Sequence, residues 1–280
     1  MNSSKTSFGP LVDAEWLAQH RDDPDLALID VRWYPTGRAG REGYFEGHIP
    51  GAVYVDLVSE ITGSAGPGRH PLPAPNQFQA AMRKAGISKT SLVVVYDDAG
   101  GSIASRLWFL LRLFGHEHVA VLDGGIGAWK GPLKQDAPVQ AVGDFEVGAQ
   151  SEEKVVDYER VSDLPGEWLL MDARAQERYR GEVEPIDPKA GHIPGAVNAP
   201  WSENLGPDGR FLSASELRKL YEERGANHAA EIVVQCGSGV TACHDLLALE
   251  LAGFPNAKLY EGSWSDWCSR PDSPVATGDK

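Results

Sequence analysis

The second half of this 280-residue chain repeats the first half. Gly47–Val53 recurs almost unchanged as Gly191–Val197. A repeat of roughly 130 residues indicates a duplicated domain and not the short unit of a solenoid. We therefore expect two domains, at residues 1–140 and 155–280, joined by a linker at residues 141–154.

Each copy alternates short apolar runs with segments of helical spacing, which is typical of an α/β unit with a mainly parallel sheet. The predicted strands lie near residues 26–31, 53–55, 92–96 and 119–122 of the first copy, and 168–172, 196–198, 232–235 and 258–260 of the second. Helical spacing covers residues 77–85 and 214–224, the latter with Ser213 or Ser215 as the N-cap. Ligands of such sheets bind at the carboxyl ends of the strands.

Composition excludes several classes of partner. The net charge of −14 disfavours nucleic acid and anionic membrane surfaces. No apolar stretch has the length of a membrane span, and Met1–Thr6 lacks the apolar region of a signal peptide, so we expect a cytoplasmic protein. Three cysteines without a Cys-x-x-Cys pair predict neither a disulfide framework nor a metal site.

Cys236 is the main candidate for chemistry. It lies just after the apolar run Ile232–Val234 and begins a glycine-rich turn that precedes a helical pattern. Gly237 and Gly239 allow the backbone to approach the sulfur closely, and the N–H groups of residues 237–242 would surround it. Such amides favour an anion, so a thiolate is the predicted species. The alternative interpretation is that Cys236 is a small buried apolar residue with a packing role.

We predict that this turn binds the substrate through its backbone N–H groups. The predicted substrate-binding residues are Gly237, Gly239, Val240 and Thr241, the last two of which complete the ring of amides before the helix begins.

The chain resembles the tandem rhodanese-domain sulfurtransferases over essentially its whole length. The repeated Gly-His-Ile-Pro-Gly-Ala-Val is similar to the first signature of that family, and Gly262–Trp267 is similar to its C-terminal signature. The resemblance implies two tandem rhodanese-like domains, each a mainly parallel sheet flanked by helices. It also implies a Cys236 persulfide, no metal or organic cofactor, and an acceptor that is cyanide, a small thiol or a thioredoxin-like protein.

The loop after the cysteine bears on the sulfur donor. Cys236–Cys243 resembles the active-site loop of the 3-mercaptopyruvate sulfurtransferase branch, whereas animal thiosulfate sulfurtransferases have cationic residues directly after the cysteine. Here Gly237 and Ser238 occupy those places. Nearby cations would stabilise the doubly charged sulfite that leaves from thiosulfate. The neutral loop favours mercaptopyruvate, with thiosulfate as the alternative donor.

Other residues acquire expected roles from the same resemblance. Asp97 occupies the position of Cys236 in the first copy, which implies that the first domain is catalytically silent. Arg178, which precedes an aromatic residue and lies shortly before a glycine, matches the arginine that binds the substrate carboxylate. The alternative for Arg178 is a solvated charged loop. A second arginine of mammalian relatives has no counterpart in residues 182–190, where Lys189 is the only cation.

The family also suggests a Ser-His-Asp arrangement that assists the leaving group. Ser238 matches the serine, and His70 matches a histidine that the first domain contributes. Val58 stands at the position of the aspartate, with Asp56 two residues earlier. The alternative for His70 is a surface histidine beside prolines.

Two other classes of protein share features of this sequence. A Cdc25-type cysteine phosphatase requires an arginine about six residues after the cysteine to bind phosphate, and position 242 is alanine. A noncatalytic rhodanese-like binding module usually lacks the cysteine that this chain keeps.

Overall fold

The computed structural model describes residues 8–138, 140–149 and 151–279, apart from the side chain of Glu152. The N-terminal expectation on Met1–Thr6 lies outside these residues. Within them the chain forms two five-stranded sheets. The strands of the first sheet are β1 (Leu11–Val12), β2 (Leu26–Asp30), β3 (Val53–Tyr54), β4 (Leu92–Tyr96) and β5 (Val119–Leu122). Those of the second are β6 (Val155–Val156), β7 (Trp168–Asp172), β8 (Val197–Asn198), β9 (Glu231–Gln235) and β10 (Lys258–Tyr260).

The two sheets have the same topology. Their strand orders are β1-β5-β4-β2-β3 and β6-β10-β9-β7-β8, and every pairing is parallel. This confirms the predicted duplicated α/β fold. The eight strands that the sequence predicts are present, and the structure adds β1 and β6, which have only two residues each.

Helices flank both sheets. In the first domain they are α1 (Ala14–His20), α2 (Gly40–Glu46), α3 (Pro75–Lys84), α4 (Ala104–Leu113) and α5 (Gly125–Ala128). In the second they are α6 (Tyr158–Ser162), α7 (Gln176–Tyr179), α8 (Ala214–Glu223), α9 (Ala242–Leu251) and α10 (Ser263–Trp267), with short 3-10 turns at Glu152–Lys154 and Trp201–Asn204.

Two helix starts illustrate how local sequence sets the boundaries. Helix α3 begins at Pro75, two residues before the predicted start, because proline is suited to the first helical turn. Helix α8 begins after Ser213, whose side chain accepts a hydrogen bond from the Glu216 N–H while the Glu216 carboxylate binds back to Ser213. The expected Ser213 cap is therefore confirmed. No helix within the described ranges combines the length and apolar character needed to cross a membrane.

A single apolar core joins the two domains. Helices α4 and α9 pack against each other, and buried residues of both sheets belong to one continuous cluster. At this boundary the buried His244 Nε2 lies 3.1 Å from the Gly100 carbonyl oxygen. Residues 143–148, inside the expected linker, dock on the first domain through the buried Phe145, whose ring meets Phe78 in a T-shaped contact at 5.8 Å between centroids. The two domains therefore form one packed unit.

The same buried ion pair occurs in both domains. Arg32 donates to the Asp30 carboxylate at 2.7 Å and to the Gly47 carbonyl at 2.8 Å. Arg174 repeats these bonds with Asp172 at 2.6 Å and with the Gly191 carbonyl at 2.7 Å. Each pair ties the end of a central strand to the segment that precedes the repeated His-Ile-Pro motif.

We expect Arg32→Met to lower the free energy of unfolding by about 3–5 kcal/mol, because it leaves the fully buried Asp30 carboxylate without its cation. Denaturant unfolding measures this change. Arg21→Met is the control, because Arg21 pairs with the exposed Asp22, and it should change stability by about 0–1 kcal/mol. If both substitutions lowered the free energy of unfolding by the same amount, the larger contribution expected of the buried ion pair would be contradicted.

Candidate active site

Cys236 directly follows β9, at the carboxyl end of a central strand. Its carbonyl accepts a hydrogen bond from the Trp264 N–H at 2.9 Å, and its own N–H donates to Ser263 Oγ at 3.1 Å. Its exposed fraction is 1%. The C-terminal Gly-Ser-Trp segment therefore fixes the backbone of the cysteine.

Asp97 occupies the equivalent place after β4, and its surroundings reveal what this kind of loop binds. The carboxylate is fully buried and accepts hydrogen bonds at 2.8 Å from the N–H groups of four residues, Ala99, Gly101, Ile103 and Ala104. The Asp97 carbonyl accepts from the Ile126 N–H at 2.9 Å, as the Cys236 carbonyl does from Trp264. The first copy of the loop is thus an amide cradle around a carboxyl group, whose pKa burial raises and the four backbone hydrogen bonds lower. The corresponding ring of amides around the Cys236 sulfur stays a prediction.

Gly239 must be glycine for two reasons. Its φ is +77°, and a Cβ there would lie 2.7 Å from the Glu261 carbonyl oxygen. The next residues pass into the helix: Val240 is buried in the core, and Thr241 is the N-cap of α9. The four predicted binding residues after Cys236 therefore form one tight turn at a helix N-terminus.

His70 reaches this turn from the first domain. Its Nδ1 lies 2.8 Å from Ser238 Oγ, and the edge of its ring faces Trp33 at a centroid distance of 5.8 Å. Burial, together with the positive charges of Arg106 and Arg69, lowers the pKa of His70 to about 4. The interpretation of His70 as a surface loop histidine is therefore wrong, and the pair is neutral at ordinary pH.

The third member of a triad is missing from this arrangement. Asp56 accepts hydrogen bonds from Tyr54 and from the N–H groups of Val58 and Ser59, and Val58 itself is half exposed. No carboxylate in the described part of the chain hydrogen-bonds to His70. The geometry is a Ser-His pair.

Arg178 lies next to the cysteine loop in an acidic setting. It donates to Glu184 at 2.7 Å and to Asp187 at 3.3 Å, and its side chain is only 19% exposed. The alternative of a solvated charged loop is therefore wrong. Lys189 points elsewhere, because its Nζ donates to the Arg270 carbonyl at 3.0 Å.

Two further cations near the site were missed by the sequence analysis. Arg106, fully buried in α4, donates to the Gly239 carbonyl and to the His70 carbonyl, both at 3.0 Å. Arg69 places Nη2 beside Gly237. The only sequence feature that could have placed Arg69 near the site is its position next to His70. Nothing in the sequence distinguishes Arg106 from a surface residue of an ordinary helix.

Other residues that could suggest chemistry have packing roles. His48 and His192 are fully buried and stack on Tyr44 and Tyr179, at 3.9 and 3.7 Å between ring centroids. The other cysteines, Cys243 and Cys268, are buried free thiols. Over residues 8–138, 140–149 and 151–279, no three His, Cys, Asp or Glu side chains are grouped as metal ligands would be.

Two copies of one fold, with a cysteine at the end of a central strand in the second, define the class of this protein. The family model of the rhodanese-like domain matches residues 13–132 and 158–270, and the chain belongs to that family. A Pseudomonas aeruginosa protein named "Probable 3-mercaptopyruvate sulfurtransferase" is 44% identical over 98% of this chain and 100% of its own length. A Rattus norvegicus protein named thiosulfate sulfurtransferase is 35% identical over 97% of this chain and 96% of its own.

The solved structure of SseA from Escherichia coli, described as a 3-mercaptopyruvate sulfotransferase, agrees with this fold. It superposes with a TM-score of 0.81 at 38% identity, covering 91% of this chain and 99% of SseA. Within the rhodanese-like family, the chain is therefore a tandem-domain sulfurtransferase.

Ser263 provides a test of how the cysteine is held. It is the only described non-glycine residue with a positive φ, at +52°, and Gly125 has the equivalent conformation in the first domain. We expect Ser263→Ala to lower the free energy of unfolding by about 1–3 kcal/mol, because the buried Cys236 N–H loses its acceptor. Ser263→Gly loses the same bond but relieves the backbone strain, so it should be less destabilising. Equal losses in denaturant unfolding would contradict this account.

Proposed function

We propose that this sulfurtransferase takes a sulfane sulfur from 3-mercaptopyruvate, holds it as a persulfide on Cys236, and passes it to a thiol or to cyanide. The observation that carries the proposal is the Cys236 loop, in which Gly237 and Ser238 replace the cations typical of thiosulfate enzymes and Ser238 contacts His70 at 2.8 Å. The names of the similar proteins support the same donor.

In the first half-reaction the Cys236 thiolate attacks the sulfur of mercaptopyruvate. A sulfur–sulfur bond forms, the carbon–sulfur bond breaks, and its electron pair leaves on carbon as the enolate of pyruvate. The enolate then takes up a proton to give pyruvate. In the second half-reaction the acceptor attacks the outer sulfur and regenerates the Cys236 thiolate, so the transfer is ping-pong.

The backbone of residues 237–242 is proposed to stabilise the thiolate and the persulfide anion. Support comes from Asp97, whose buried carboxylate lies in the matching loop on four N–H groups. A fixed ring of amides needs no reorganisation when the negative charge moves from one sulfur atom to the next. The first domain, which we assign to residues 1–140 with a linker at 141–154, is proposed to be silent because a carboxylate cannot accept a sulfane sulfur.

His70 and Ser238 are proposed to handle the proton of the leaving group. The neutral imidazole has one donor and one acceptor nitrogen, and it contacts the Ser238 hydroxyl at 2.8 Å. When Nδ1 carries the ring proton, it can replace the hydroxyl proton that passes to the enolate, while Nε2 takes up a proton from solvent so that the imidazole stays neutral. Arg178 is proposed to bind the carboxylate of mercaptopyruvate through Nη1, because its Nε and Nη2 already donate to Glu184 and Asp187.

Thiosulfate is the second candidate donor. The observation in its favour is that two guanidinium groups, those of Arg69 and Arg178, approach Gly237, so the site has cations although the loop itself has none. The proposed physiological acceptor is a thiol, either small or on a thioredoxin-like protein.

The donor is tested by measuring kcat/KM for mercaptopyruvate and thiosulfate side by side, with cyanide and reduced thioredoxin as acceptors. We expect a clear preference for mercaptopyruvate and a mass increase of one sulfur atom on Cys236 in the absence of acceptor. Cys236→Ser should fold normally and lose all transfer, because a serine hydroxyl cannot carry the sulfane sulfur.

Each other outcome has a definite meaning. Turnover by Cys236→Ser would overturn the assigned nucleophile. A preference for thiosulfate would show that thiosulfate is the donor, and the proposed Cys236 persulfide would remain the intermediate. A wild-type protein that forms no persulfide with either donor would be a noncatalytic module.

The pH dependence follows from the lowered pKa of His70, about 4. Because protonation begins only near that pH, kcat/KM should show no inflection near pH 6.5, the ordinary value for histidine, as pH falls from 8 to 5. A pH–rate profile of the wild type and of His70→Gln measures this. An inflection near pH 6.5 that disappears in His70→Gln would contradict the neutral, buried His70.

A further inference from the structure

The loop that carries Arg69 belongs to the first domain but is docked on the second. The Arg69 N–H donates to Ser265 Oγ at 3.0 Å. Its neighbour Gly68 has a φ of +73°, and a Cβ there would lie 2.4 Å from the Gly262 carbonyl oxygen, so only glycine allows this approach. The position of Arg69 is therefore fixed relative to the C-terminal segment that holds Cys236.

One buried carboxylate binds both arginines of the site. Asp187 Oδ1 forms an ion pair with Arg69 Nη1, and Asp187 Oδ2 accepts from Arg178 Nη2 at 3.3 Å. The Asp187 side chain is only 3% exposed. This shared anion compensates the repulsion of two guanidinium groups that would otherwise lie side by side.

The remaining amino groups of the two arginines converge on the cysteine loop. A Cβ at Gly237 would lie 3.2 Å from Arg69 Nη2 and 3.5 Å from Arg178 Nη1. Among the described residues neither of these nitrogens has a hydrogen-bond acceptor. Two donors from different domains therefore face one small space beside the residue that follows Cys236.

We propose that Arg69 is the second carboxylate-binding arginine of the donor site, so that the silent domain contributes directly to substrate specificity. The inference rests on the proposed function, because it assigns the partner of Arg178 in holding the carboxylate of mercaptopyruvate. It also supplies the cation that residues 182–190 lack, since Lys189 is bound elsewhere. A carboxylate between two guanidinium groups gains charge-assisted hydrogen bonds from both.

The test measures the KM for mercaptopyruvate and the Kd of pyruvate, a carboxylate that binds without sulfur chemistry. We expect Arg69→Ala to raise both about tenfold to a hundredfold, the effect of losing a hydrogen bond to a charged group, with a much smaller change in kcat. Arg69→Lys keeps the charge without the fork and should give an intermediate loss.

Arg21→Ala is the matched control. Arg21 belongs to the same domain, pairs with an aspartate and has a side chain 32% exposed, against 33% for Arg69. It lies between α1 and β2, at the edge of the sheet opposite the strand ends that carry the site. Its removal changes the net charge equally, so an equal rise in KM would overturn the proposal.

Asp187→Asn separates ligand binding from loop anchoring, because it breaks the same ion pair as Arg69→Ala. If Arg69 binds the donor, removal of the competing negative charge should lower the KM and the Kd of pyruvate several-fold. If Arg69 only anchors the loop, both variants should raise them together, and the proposal fails.

The proposed function and this inference fail in different ways. A wild-type protein without mercaptopyruvate turnover refutes the function, while the Kd of pyruvate still reports on the arginine pair. Normal turnover with a raised KM in Arg178→Ala and none in Arg69→Ala refutes this inference alone.

Discussion

The active-site geometry depends on one buried guanidinium. Arg106, in α4 of the first domain, donates to the backbone carbonyl of His70 and to the backbone carbonyl of Gly239 in the cysteine turn. Since the guanidinium is fully buried and its bond to Gly239 is also buried, a shift of one domain against the other would leave strong polar groups unpaired. The contact between His70 and Ser238 is a consequence of this constraint. The same charge also helps to lower the pKa of His70.

The duplicated loops after β4 and β9 place different side chains, Asp97 and Cys236, in equivalent positions. After β4, a carboxylate fills the amide cradle permanently, and Gly125 lies so close that a Cβ would be 2.3 Å from the Asp97 carbonyl oxygen. After β9, a smaller cysteine occupies the place, and Ser263 accepts a positive φ to provide the hydroxyl that binds the Cys236 N–H. Backbone strain is thus found in the copy that holds the candidate nucleophile, as is common at functional sites.

Much of the fold could be predicted because the relevant signals are local. Apolar runs marked the central strands, and Ser213 or Ser215 was the expected N-cap of α8, of which the structure selects Ser213. The strands β1 and β6 were missed, and they are held in the sheets by pairing with β5 and β10. Pairing of that kind joins residues that are distant in the chain and leaves no local pattern.

The amino-acid sequence alone was enough to predict the duplicated parallel sheets, to single out Cys236 as the candidate nucleophile with the glycine turn after it, and to show that the first copy has no cysteine. The tertiary structure decided which side chains meet there. His70 and Ser238 are 168 residues apart, Arg69 and Asp187 are 118 apart, and Arg106 and Gly239 are 133 apart. Asp56 and Lys189, which are near the family positions in sequence, bind other groups instead. The spacing of residues along the chain determines local conformation. Contacts across a domain boundary depend instead on how the surfaces of the two domains pack, and such packing leaves no periodic pattern in the sequence.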